Sequence, residues 1–144
     1  MKHPAEMLFS ADHPLMKNLD IKFDAAVDGM LTVRGVAPES FTDCDGVYVH
    51  SGFASLLLDT VMGSCVLGEL EKMMPIATIK LTCNHLKRMK AGEQVTCEAY
   101  YEGDENEIAY VNGKILAGEE RELIASAIGT FMIGTTSRRR EENA

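Results

Sequence analysis

Residues 47 to 70 read VYVHSGFASLLLDTVMGSCVLGEL, the most apolar long stretch of the chain. It opens with His50 and carries one carboxylate, Asp59, at its centre. Phe53, Leu56, Leu57, Leu58, Val61, Met62, Cys65, Val66, Leu67 and Leu70 fall around most of a helical circumference rather than on one stripe. The segment therefore predicts a helix of about twenty residues, from near Ser51 to Lys72, that must be covered on most sides. A carboxylate among Leu58, Val61 and Met62 is expensive unless it is paired, hydrogen-bonded or able to reach solvent.

What could cover such a helix follows from its flanks. From Asp20 the pattern turns to period two, with Ile21, Phe23 and Ala25 against Lys22 and Asp24, then Asp28-Gly29 as a turn, then Leu31 and Val33. Beyond the helix lie four strand candidates: Pro75 to Leu86, Gln94 to Tyr101, Glu107 to Leu116 and Arg121 to Ile133. Turns are expected at Ala91-Gly92-Glu93, Glu102-Gly103-Asp104 and Ala117-Gly118-Glu119-Glu120. No interval is long enough for a βαβ crossover, so the sheet is expected to be antiparallel. The resulting class is α+β: about six strands curved around one helix, with Ile76, Ile79, Leu81, Val95, Ala99, Ile108, Val111, Ile115, Ile124, Ala127 and Phe131 on the concave side. Residues 4 to 18 read as an N-terminal cap containing a short helix broken at Asp12-His13-Pro14.

Composition narrows the function. A length of 144 residues with 46% apolar and 25% charged residues suits one domain, taken as residues 1–136, followed by a charged tail at 137–144. A net charge of −8 leaves no broad basic face for nucleic acid. Cys44, Cys65, Cys83 and Cys97 form no CxxC pair and follow no signal-peptide pattern, so reduced thiols in the cytoplasm, without a metal, are expected. No uninterrupted apolar run of about 18 residues occurs, and no membrane association is expected.

Three segments in this order resemble the hotdog-fold acyl-CoA thioesterases of the PaaI type. They are VHSGFASLLLDTVMG, similar to the family's V-H-G-G-x-x-x-x-L-x-D-x-x-x-G; ATIKLTCNHLKRMKAGEQV, similar to its T-x-x-L strand and G-D/E-x-V turn; and LIASAIGTFMI, similar to its closing strand. His50, Gly52, Asp59 and Gly63 stand in register. Two positions depart: Ser51 replaces the first glycine of H-G-G, and Cys44 stands where an amide is common six residues before the histidine. A thiol is a weak donor and replaces an amide poorly in orienting substrate or water.

The resemblance implies hydrolysis of an acyl-CoA by a homodimer with two shared sites, or a dimer of dimers, without a cofactor. It assigns Asp59 as nucleophile or general base, and the N–H groups of Ser51 and Gly52 at the helix start as the oxyanion hole. His50 has a supporting role, and Thr78 faces the acid. Asp59 and His50 cannot form a dyad within one helix, because nine residues turn about 900° and rise about 13 Å. A thiolate leaving group needs no strong general acid. HLKRMK places Lys87, Arg88 and Lys90 together as one basic run, and for coenzyme A the candidates are Cys44, Arg88 and Lys90, with Arg138 in the SRRR run. The rival reading is a hotdog protein that binds acyl-CoA without hydrolysing it.

Overall fold

The computed structural model describes residues 2–9 and 13–135. Arg138 and the tail at 137–144 lie outside the described residues, as does Asp12. The chain forms α1 (Pro4–Leu8), β1 (Ile21–Val27), β2 (Met30–Val36), a 3-10 turn (Glu39–Phe41), α2 (Ser51–Glu69), β3 (Ile76–His85), β4 (Gln94–Glu105), β5 (Ile108–Ala117) and β6 (Glu122–Ile133). The six strands make one sheet in the order β1-β2-β4-β5-β6-β3, every neighbouring pair antiparallel. This is the expected hotdog arrangement, with α2 packed against β2, β3, β4, β5 and β6.

The helix is buried as its composition requires. Phe53, Leu57, Leu58, Val61, Met62 and Val66 are each no more than 1% exposed, against Leu31, Val33, Ala99, Val111, Ile115 and Phe131 from the sheet. Each such side chain contributes about 1.5–3 kcal/mol of burial free energy, so the inward face of the sheet fixes where the helix lies. Length and a mean hydropathy of 1.4 would suit α2 to a bilayer, but here the sheet takes up its apolar sides. The helix stops at Glu69, three residues short of Lys72, because Leu70 is already extended (φ −79°, ψ 135°) and its N–H turns back to the Leu67 carbonyl. Met62 lies beneath two glycines of the sheet, Gly113 on β5 and Gly129 on β6. A Cβ at either would stand 2.8 Å from its side chain.

Three strand expectations fail, two of them at bulges. Ile79, placed on the concave side, is 50% exposed, because β3 carries a bulge there: Thr78 pairs with Phe131 and Lys80 with Thr130, leaving Ile79 as the extra residue. Ile108 pairs with Met132 on the outer face, and Ala109 and Val111 point inward instead. The turn expected at Glu102-Gly103-Asp104 is another bulge, between Tyr101 and Gly103, and β4 runs on to Glu105. The hairpin closes at Asn106 and Glu107, both with positive φ (53° and 66°), as a primed turn requires. By contrast, Asp28-Gly29 closes β1 and β2 as its sequence suggests, with φ 49° and 78°.

One acid is nearly buried on the outer face. Glu98 of β4 accepts a hydrogen bond from the Tyr100 hydroxyl at 2.8 Å and an ion pair from Arg121. Burial pushes the carboxyl up, but the Tyr100 and Arg121 hydrogen bonds outweigh it and hold it below the usual glutamate range.

Candidate active site

The sheet ends at β3, and the helix face beneath that end is only half covered. Along it stand Ser51, Ser55 and Asp59, spaced four residues apart and so on one side of α2. Asp59 is half-buried, which relieves the cost of a carboxylate in an apolar helix, and it accepts a hydrogen bond from the Thr78 hydroxyl of β3 at 2.7 Å. Further along the same strand the His85 Nε2 lies 3.4 Å from the Ser55 hydroxyl. The bulge at Ile79 makes this possible. Thr78 opposes Phe131 and His85 opposes Ala125, both inward positions, although seven residues would otherwise put them on opposite faces.

At the N-terminus of α2 the His50 Nδ1 accepts the Gly52 N–H at 2.8 Å, capping the helix. Gly52 is therefore already engaged, and the Ser51 N–H is left as the donor nearest the positive end of the helix dipole. A cavity of about 430 Å³ opens here, lined by Val49, His50, Ser51, Ala54, His85 and Met89, with Asp43, Leu86, Lys87, Arg88 and Ile124 around them. One chain thus brings Asp59 to Thr78, and His50 and Ser51 to Arg88 and His85, but Asp59 is not among the residues lining the cavity.

The expected coenzyme A contacts are placed unequally. Arg88 pairs with Asp43 and, at 3.7 Å, with Asp45, and its guanidinium lies over the Tyr48 ring, 4.6 Å from the centroid. The Asp45 carboxyl is held below its usual range by the backbone N–H groups of Val47 and Tyr48, with a smaller contribution from Arg88. Arg88 is therefore a clasp for the loop before α2. Lys87 pairs with Glu122, whereas the Lys90 ammonium makes no ion pair among the described residues. Cys44 is exposed and does not line the cavity. Burial pushes the Cys65 thiol up to about 12 and the Cys97 thiol higher still, so neither supplies a thiolate at neutral pH.

Ser55 and His85 were not among the residues the sequence singled out. The step of four from Ser51 through Ser55 to Asp59 was a legible signal, but His85 lies beyond the bulge, and its face could not be counted from Thr78.

Known proteins carry the same architecture. A thioesterase family protein from Silicibacter pomeroyi superposes with a TM-score of 0.79 over 92% of this chain and 96% of its own, at 21% identity. A phenylacetic acid degradation-related protein from Ralstonia eutropha JMP134 gives 0.74 over 91% and 99%, at 25% identity. A hypothetical thioesterase from Streptococcus pneumoniae TIGR4, solved with coenzyme A, gives 0.71 over 78% and 84%, at 18% identity. No curated protein matches the chain. The family model of the thioesterase superfamily matches residues 46–124, a span that takes in the helix, the cavity loop and the edge strand with His50, Asp59, Thr78 and Arg88. With more than half its length matched and its whole fold shared, the chain belongs to the thioesterase superfamily.

Proposed function

We propose that the protein hydrolyses an acyl-CoA thioester to the free acid and coenzyme A, as a homodimer in which each site takes residues from both subunits. The observation that carries this reading is the Asp59 carboxylate, held by Thr78 on a half-open helix face beside an unpaired edge strand. β3 is ten residues long with one edge left without a strand among the described residues, and such an edge favours pairing with another strand. In the antiparallel register of two β3 strands that sets Thr78 of one subunit opposite His85 of the other, Asp59 comes to the partner's helix start.

In that arrangement the thioester carbonyl lies in the cavity with its oxygen at the Ser51 N–H. The helix dipole and, once displaced from His50, the Gly52 N–H stabilise the oxyanion. Asp59 attacks the carbonyl carbon or removes a proton from water. Thr78 fixes the carboxylate's orientation. The phosphates of coenzyme A meet Lys90, and Arg88 only if it leaves Asp43. A cytoplasmic protein with reduced thiols fits the four free cysteines.

A second reading, acyl-CoA binding without hydrolysis, is favoured by the engagement of the Gly52 N–H with His50 and by the outward position of Cys44. Thiol release by the purified protein from butyryl-, palmitoyl- and benzoyl-CoA separates the two. Turnover that falls by a factor of about 10² or more in Asp59→Asn supports hydrolysis through Asp59. Binding without release by the parent protein supports the second reading.

A further inference from the structure

The cavity at the start of α2 contains a base that the proposed mechanism has not used. Ser51 and Asp59 are eight residues apart, about 12 Å along the helix, so a carbonyl held by the Ser51 N–H is out of reach of the carboxylate on the same helix. His85 is placed differently, lining the same cavity as Ser51 and Ala54. Its Nε2 is 3.4 Å from the Ser55 hydroxyl, and no hydrogen bond to its other ring nitrogen is made among the described residues. The remaining charged groups of the cavity are matched, Arg88 by Asp43 and Lys87 by Glu122, and the His50 Nδ1 is taken by the Gly52 N–H. His85 is thus the lining side chain with a basic nitrogen available to a molecule in the cavity.

We propose that His85 is the general base for the second half of the reaction, and that Asp59 of the partner subunit is the nucleophile of the first. The inference rests on the shared-site thioesterase reading above. In the first step an Asp59 carboxylate oxygen bonds to the thioester carbon, the carbon–sulfur bond breaks and the thiolate leaves, giving a mixed anhydride. In the second, water attacks the acyl carbon while His85 takes its proton. The bond from that carbon to the Asp59 oxygen breaks, and its electron pair restores the carboxylate. The imidazolium then returns its proton to solvent. Ser55 acts as a positioning residue that holds the ring toward the helix start.

This division of labour has a kinetic signature. The test is rapid-mixing measurement of thiol release by the parent protein, Asp59→Asn, His85→Ala and His85→Gln, using whichever of butyryl-, palmitoyl- or benzoyl-CoA the parent hydrolyses fastest. His85→Ala is expected to release about one equivalent of coenzyme A per site at the parent rate, then turn over about 10²-fold more slowly. Free imidazole should accelerate the slow phase about tenfold or more and leave the burst unchanged. His85→Gln, which keeps a hydrogen-bonding group opposite Ser55, should show the same burst and slow phase, and Asp59→Asn should show no burst. Parent-like turnover in both His85 variants, with Asp59→Asn inactive, overturns this inference alone. Slow turnover with neither a burst nor a response to imidazole also overturns it, leaving His85 a structural part of the cavity. An inactive parent, or an active Asp59→Asn, overturns this inference together with the function it rests on.

Discussion

Replacing Gly113 by alanine tests how closely the helix is pressed to the sheet. The added Cβ would lie 2.8 Å from Met62 Sδ, 3.0 Å from Met62 Cγ and 3.1 Å from Leu58 Cδ2, and both side chains are fully buried. The backbone there does not have the positive φ that favours glycine, so space alone decides the outcome. Overpacking of this kind costs about 1–3 kcal/mol. Lower entropy of the unfolded chain returns about 0.4–1 kcal/mol, which leaves a net loss of about 1–2 kcal/mol. At Gly129 the nearest atom is Met62 Cε, the free end of a flexible chain, but the buried Phe131 ring follows at 3.0 Å, so Gly129→Ala should also destabilise. For a domain of this size, Gly113→Ala then lowers Tm by about 3–8 °C. A thermal melt gives the Tm shift, and urea unfolding followed by circular dichroism, at one protein concentration, gives the free-energy loss and the Gly113→Ala/Met62→Ala cycle. Since Met62→Ala removes the two nearest of the three atoms, the double variant should be more stable than the sum of the singles by about 1 kcal/mol. A neutral Gly113→Ala, or strictly additive costs, would refute the close contact.

Asp59→Asn should melt at the parent temperature or above it, because the Thr78 hydroxyl can still donate to the amide oxygen while an amide is cheaper to bury; a clear drop in differential scanning calorimetry would make Asp59 a structural residue. Glu98→Gln should lose about 1–2 kcal/mol at neutral pH, discounted for the half-exposed Arg121. Because the native Glu98 carboxyl lies below its ordinary value, that contribution is present above the unfolded pKa of about 4.3 and fades as pH falls through the native one, so chemical denaturation from neutral to acid pH should show the two proteins converging. Coenzyme A affinity should fall with added salt and in Lys90→Ala, and less in Arg88→Ala, whose charge is matched by Asp43; calorimetric titration that finds Arg88→Ala the weaker binder would reverse the ranking. Light scattering at micromolar concentration should give twice the 15.8 kDa chain mass or a multiple of it, and a stable monomer would contradict shared sites.

Much of this architecture was legible because its causes are local. The apolar circumference of α2 could be satisfied only by a surrounding sheet, and the Asp28-Gly29 turn and the alternation of β2 follow from residues a few positions apart. Two of the strand errors fell where a strand breaks period. The inward residues of β3 are even-numbered before Ile79 and odd-numbered after it, and no composition signal marks the change. Asp59 and Thr78 were paired through the motif, and the geometry brings them together. The basic run at Lys87, Arg88 and Lys90 was read as one patch, yet two of its three charges are matched by Glu122 and Asp43. Partners 35 and 45 residues away in sequence cannot be seen from the run itself.

The single extra residue at Ile79 divides the edge strand into two halves whose facing is set independently. Removing it would leave Thr78 opposite Phe131 only if the remainder of β3 turned over, carrying His85 to the outer surface; keeping His85 inward would turn Thr78 out instead. The carboxylate's anchor and the cavity's imidazole are therefore joined by a one-residue phase offset. A chain of this architecture that lost the offset could retain either group on the helix side, but not both.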